Sequence, residues 1–435
     1  MTELEIKLEL PIDSTFLSQI IYEGLIYLIN KRGSSFNVDS VRLEGDLLEA
    51  YKDLDENRIK NIKIKLVGND LRKGERKGEG YFLYSFLKLL KIKINKIKEM
   101  TYGELLKLTK EQGSLQVSRS PINLEATYER SIVLDESGTT LTAPQLLKVD
   151  RYAGISSAEM PFMSKRVGLK ASLEVILIAL LGVYSSYIAT AEDHYFAFLS
   201  PSEILRILAS GDPSLLRNLY SVKEQLRDLL GRTLGGPAEG ELMKKSKHLP
   251  VPHRRRTLGG PAEGELMVLE VMLNSKIRAE LKSRNLDKVS INIFRVSEEG
   301  GITYKVHETL PITVYANPYF YHVLSSRGVD ARKLCDTLQD ALNPKGKIIK
   351  TLSSFKSKNK FDEADSILRG VMALYKFVTL ADPHYLFQFS RCLSEAQDIL
   401  ERKEDYGKRE DYKRRVEFYR NVQRRIGGSL RRLRI

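Results

Sequence analysis

An α+β fold, with a mixed α/β front and a mainly helical rear, is predicted by three features of this 435-residue sequence. Short runs of alternating apolar and charged residues crowd the first third. Apolar residues at helical spacing continue almost without a break after residue 317. Between them lies one long apolar stretch, Ala171 to Ala191, of the kind that forms the buried helix of a large domain. Hydrophobic residues make up 42% of the chain, with 21 Tyr and 15 Phe, which is ample material for a core despite 29% charged residues. At about 100 to 200 residues per domain the chain accommodates two or three. The pattern divides it into a mixed α/β segment 1–167, a helical core 168–316 with a β-hairpin near 288–308, and a helical C-terminal segment 317–435.

The elements follow in order. Leu4, Ile6, Leu8 and Leu10 alternate with Glu and Lys, as in a strand buried on one face. A helix is predicted over Phe16 to Asn30, strands at Val41 to Leu43 and Ile62 to Val67, and a polar helix near 47–60. LRKGERKGEG at 71–80 reads as a basic loop punctuated by glycine. After the apolar run Tyr81 to Leu90, KIKINKIK fits a strand with its lysines on one face. Residues 113–166, rich in Ser, Thr, Gly and Pro, read as short strands joined by loops. From Gly168 to Leu230 helices dominate, with a short strand at Tyr195 to Leu199. Helix starts stand at Ser200-Pro201 and Asp212-Pro213, where a capping side chain precedes proline. Beyond Asn317 helices are predicted at Pro318 to Ser325, Ala331 to Leu342, Phe361 to Leu380, Pro383 to Arg402 and Arg409 to Arg425 or beyond.

RTLGGPAEGELM occurs twice without a mismatch, at 232–243 and 256–267. Two copies do not make a solenoid, so the repeat reads as a local duplication, with the basic KKSKHLPVPHRR between the copies as an exposed tether.

Charge is segregated. The chain carries +14, yet residues 71–98 alone carry +7, residues 343–360 carry +6 and residues 413–435 carry +8, so the remainder is net acidic. Concentrated positive charge on an acidic background suits a polyanion, because each phosphate neutralised releases condensed counterions. The candidate nucleic-acid contacts are Arg72, Lys73, Arg76, Lys77, Lys91, Lys93 and Lys96 in the first cluster and Lys356, Lys358 and Lys360 in the second. In the third, Val416, Tyr419, Val422 and Ile426 form one helical stripe, with Arg414, Arg415, Arg424 and Arg425 placed outside it. Gly427-Gly428 is expected to release a short flexible arm bearing Arg431, Arg432 and Arg434. A polar loop with Gln116, Ser118, Arg119, Ser120 and Asn123 carries side chains that read base edges.

Reactive chemistry finds little support. The six histidines make no His-Glu-x-x-His pair, and Cys335 and Cys392 have no zinc-ligand spacing. Glu192-Asp193-His194 and Asp382-Pro383-His384 resemble fragments of a metal site but suit a polar cluster or a helix cap better, and Glu5-Ile6-Lys7 matches one strand of a nuclease as readily as any amphipathic strand. No phosphate-cradling loop, dinucleotide fingerprint or nucleophile elbow is present. These absences point to a non-catalytic protein without cofactor or metal. Two unpaired cysteines and a start lacking a basic-then-apolar signal point to the cytoplasm, and scarce Gln and Cys with no Trp suggest a thermophile.

Together, the basic, cysteine-poor front, the apolar helix running into YSSYIATAEDHYFAFLSPSEI (184–204) and the arginine-rich helical end resemble the large subunit of the archaeal type I-A CRISPR interference complex, the Cascade-type assembly. The resemblance implies a non-catalytic subunit that contacts guide RNA and target DNA, inspects the protospacer-adjacent motif and partners other subunits of the complex in antiviral defence. A helicase-nuclease would be recruited to it, and no membrane is involved. Two other readings stay open: a metal-dependent nuclease or other DNA-processing enzyme, and a structural subunit that binds only protein.

Overall fold

The computed structural model describes residues 3–64, 66–67, 77–92, 100–112, 119–128, 131–152, 168–234, 262–299, 303–343, 346–356, 360–403 and 409–433. Sheets of mixed pairing are built mainly from the first half and helices dominate the second, so the fold is α+β. Two compact units form: Met1–Lys223 with Ser290–Pro311, and Glu224–Val289 with Ile312–Ile435. These divide the chain differently from the three sequential segments read from the sequence. Residues 168–223 join the front because their long apolar helix completes its core.

The first unit starts with β1 (Glu3–Leu8), α1 (Phe16–Arg32), β2 (Gly33–Phe36) and β3 (Ser40–Glu44). The next elements are β4 (Leu66–Val67), β5 (Lys77–Gly78), α2 (Gly80–Leu89), α3 (Tyr102–Glu111) and β6 (Ile122–Leu124). β1 pairs antiparallel with β3, Ile6 opposite Val41, and parallel with β6, Ile6 opposite Ile122, giving a sheet of order β2-β3-β1-β6. A second sheet, β7-β8-β10-β9, uses Ala126–Tyr128, Ser131–Leu134, Gly168–Ser172 and Thr140–Thr142 respectively. The helix expected near 47–60 is instead two 3-10 turns, Leu47–Tyr51 and Glu56–Ile59, started by the side chains of Asp46 and Asp55, which accept from the backbone two residues on.

Ala171 to Ala191 divides into α4 (Leu173–Ser186), capped by Ser172, and β11 (Tyr187–Thr190). Every residue of α4 is buried. Fourteen residues rise about 21 Å, well under the roughly 30 Å of a bilayer core. Among the described residues no helix is long and apolar enough to cross a membrane. α1 packs on α4 at Gly24 and Gly182, where a Cβ on either would stand 1.9 Å from a carbonyl oxygen of the other helix, Ile178 O or Ile20 O. Backbones this close leave no room for alanine. β12 (His194–Leu199) lies between β11 and β13 (Lys288–Glu299), and β14 (Thr303–Tyr315) completes the hairpin, longer than the sequence suggested. Phe16 meets Phe196, Phe198 and Phe294 edge-on at centroid distances of 5.3 to 5.6 Å.

The chain leaves the first unit within α6 (Pro213–Thr233), which follows α5 (Pro201–Ser210). The second unit holds α7 (Glu263–Met272), α8 (Ser275–Ser283), α9 (Tyr319–Ser326), α10 (Ala331–Ala341), α11 (Lys347–Ser353), α12 (Ala364–Leu380), α13 (His384–Glu401) and α14 (Glu410–Leu433). α12, α13 and α14 pack consecutively, with the apolar stripe of α14 (Val416, Tyr419, Val422 and Ile426) fully buried. Most of the duplicated segment, including its basic tether, lies outside the described residues. Leu234 of the first copy and Ala262 and Leu266 of the second are buried.

Candidate nucleic-acid interface

The outward face of α14 is the strongest concentration of exposed cations among the described residues. Lys413, Arg414, Arg420, Arg424, Arg425, Arg431 and Arg432 are exposed there, with Glu410 and Glu417 as the exposed acids of the helix. Spacings of four, seven and eleven residues keep them on one side of the helix, opposite the buried stripe. The helix rises about 36 Å over its 24 residues, enough to track several phosphates.

Some of these guanidinium groups are already engaged at one edge. Arg414 pairs with Glu410 at 3.2 Å, Arg420 with Glu401 at 2.8 Å and Arg425 with Asp340 at 2.9 Å. Arg432 donates to the Gly328 carbonyl at 2.7 Å. Exposed pairs of this type hold geometry more than they store energy, since each contributes about 0 to 1 kcal/mol. Lys413, Arg424 and Arg431 have no ion pair among the described residues.

Two expectations about this region are corrected. Arg415 does not lie outside the stripe: it is buried, its guanidinium bonded to Glu363, 3.2 Å from Asp411 and stacked over the rings of Phe361 and Tyr412. Burial raises the Glu363 carboxyl above its ordinary pKa, and the nearby Arg415 opposes that rise. Gly427-Gly428 releases no arm either, because α14 runs through both glycines to Leu433. The helix end is fastened by Arg432 on Gly328 and by Arg327, which donates to the Leu433 carbonyl at 3.0 Å.

Beside the helix, the start of α10 forms a cleft of about 480 Å³ with Arg425, lined also by Asp330, Arg332, Lys333, Asp336 and Thr337. Sequence reasoning passed over Arg332 and Lys333, which stand in no charge run, and over Lys413 and Arg420. The seven-residue spacing of Lys413 to Arg420 and of Arg424 to Arg431 was the signal available.

The other basic clusters fare differently. Arg72, Lys73, Arg76, Lys93, Lys96, Lys358 and Arg434 lie outside the described residues. Lys77 stands in β5 and Lys356 in a short 3-10 turn, their side chains likewise outside the description. Lys91 is exposed at φ +56° just past α2. Lys360 pairs with Asp365 at 2.6 Å and covers the Phe355 ring, while Lys347 and Lys350 lie 3.6 and 3.8 Å from Asp411. Lys347, Lys350 and Lys360 therefore each have a carboxylate partner.

Arg119 does not present a base-reading fork. It bonds the fully buried Asp135, donates to the Pro121 carbonyl at 2.7 Å and lies 3.8 Å from Glu174. Neutralising a buried carboxylate occupies the guanidinium within its own unit. Ser120 is used similarly, its hydroxyl accepting from Glu5 N at 3.1 Å.

The remaining polar motifs are structural where described. Asp193 pairs with Arg295 at 2.5 Å, and His194 bonds Thr190 and Glu298 while packing edge-on against Tyr304. Asp382 caps the start of α13 by accepting from His384 N. Among the described residues no three His, Cys, Asp or Glu converge as metal ligands would.

Comparison with known proteins places the chain beside an archaeal relative. A protein of Archaeoglobus fulgidus, described as uncharacterized, is 33% identical over 410 residues, covering 92% of this chain and 95% of that protein. The two belong to one family. No protein-family model matches the chain, and no solved structure does.

Proposed function

We propose that this protein is a non-catalytic nucleic-acid-binding subunit, and that it serves in the cytoplasm as the large subunit of a type I-A CRISPR surveillance complex, contacting guide RNA and target DNA. The observation that carries the binding reading is the exposed face of α14, with seven exposed cations against the two exposed acids Glu410 and Glu417, on a helix docked along its opposite side. Arginine's planar fork engages phosphate oxygens in pairs, and a rigid helix fixes the spacing of those forks. Contacts of this kind position a polynucleotide without reading its sequence. The assignment to the CRISPR complex is supported by the arginine-rich helical end, the motif-free front and the apolar α4 segment, and by the presence of the family in an archaeon.

Affinity purification of the full chain from its native host, followed by sequencing of bound nucleic acid, tests this reading. Guide-length RNAs sharing a repeat-derived end, together with a repeating backbone subunit, are expected. Protein free of nucleic acid, or magnesium-dependent cleavage of DNA by the purified chain, would overturn it.

A further inference from the structure

We propose that the ligand of the C-terminal unit is single-stranded nucleic acid, with its phosphates along α14 and an unpaired base stacked on Tyr319. This rests on the reading of α14 as a phosphate-binding face. Tyr319 is the most exposed large hydrophobic residue described, at 72%, and its side chain has no hydrogen-bond partner among the described residues. Its ring stacks on His322 with centroids 6.2 Å apart and planes 27° from parallel. The helix beneath is anchored: α9 buries Phe320 and Leu324, and Phe320 meets Phe377 of α12 at 5.7 Å. An aromatic pair on an anchored helix and open to water is a stacking platform, not unfinished core.

Position along the chain ties this platform to the cationic face. α9 leads directly into Arg327 and Gly328, the two residues that fasten the end of α14 through Leu433 and Arg432. Asp330 then starts α10, whose Arg332 and Lys333 share a cleft with Arg425. Tyr319 therefore stands about 12 Å along the helix from Arg327, which holds the end of α14. A duplex keeps its base faces inside the stack and offers an exposed tyrosine nothing to cover. An unpaired strand offers both a charged backbone and a free π-face, and arginine beside aromatic side chains is the combination that grips it without sequence preference.

The experiment measures binding of the full chain to three fluorescent probes by anisotropy at fixed salt: a twelve-nucleotide oligo-thymidine strand, a twelve-base-pair duplex and an abasic strand of equal length. Tyr319→Ala should weaken binding of the thymidine strand about 5- to 100-fold, leave the duplex and abasic strand unchanged, and be rescued by Tyr319→Phe. Equal affinity of Tyr319→Ala and the parent for the thymidine strand would overturn the single-strand assignment, as would an equal loss on all three probes. Arg424→Ala with Arg431→Ala should weaken all three probes. If that double variant binds them like the parent, the reading of α14 itself fails, whatever Tyr319 does.

Discussion

Arg415 and Arg424 stand nine residues apart on one helix and do opposite work. Arg415 is buried with Glu363, and Arg424 faces water without an ion pair among the described residues. Removing one partner of a buried pair strands the other in low dielectric, so Arg415→Ala should lower unfolding free energy by about 3 to 5 kcal/mol. Arg424→Ala should change it by less than about 0.5 kcal/mol. Urea unfolding separates the two, and a variant of Arg415 that loses nucleic acid while fully folded would contradict this division. The sequence shows both residues as arginines in one basic run. Only the partner at Glu363, 52 positions away, distinguishes them.

At the level of elements, α2 ends in a left-handed turn that places Lys91 at φ +56°. Ile92 N donates to Leu87 O at 2.9 Å and Lys91 N to Lys88 O at 3.1 Å, the two bonds of a Schellman ending, in which glycine is the favoured residue at the left-handed position. Lys91→Gly should therefore stabilise the protein by about 0.5 to 1 kcal/mol, the relief of left-handed strain being partly offset by a freer unfolded chain. Thermal unfolding checks this, and a loss of stability would show that the lysine side chain holds a contact outweighing its strain. Elements governed by local chemistry were legible: β1 from its alternation, α1 from apolar spacing, and α5 and α6 from a capping residue before proline. Gly427-Gly428 was misread because two glycines cost a helix only about 2 kcal/mol. Burial of Val422, Ile426 and Leu433, with the tie from Arg432 to Gly328, outweighs that cost.

For the whole molecule, the division into two units could not be read from sequence order, since the chain enters the second unit within α6, returns within β13 and leaves again within β14. Long-range pairing decided it: α4 completes the core around α1 through the Gly24–Gly182 crossing, a contact no local pattern encodes. The class of the fold was legible because alternation in the front and helical spacing in the rear are local properties. Of the candidate site, the buried stripe of α14 and most of its outer arginines were legible, whereas Arg119 and Arg415 were not, their carboxylate partners being remote in sequence. The duplication offers a test at this scale. Deleting residues 244–267 leaves a single RTLGGPAEGELM between the end of α6 and the start of α7. The shortened chain is expected to keep its unfolding midpoint and its affinity for nucleic acid, and aggregation or unfolding would show that the segment is part of the core. The claim beneath all of this is that the cations of α14 bind by displacing counterions. It is tested most directly by the slope of log affinity for single-stranded nucleic acid against log salt concentration, compared between the parent and the Arg424→Ala, Arg431→Ala variant. Each lost phosphate contact should reduce the slope by about 0.7, so the double variant should be shallower by about 1.4. Parallel slopes, or a parent affinity indifferent to salt, would contradict it.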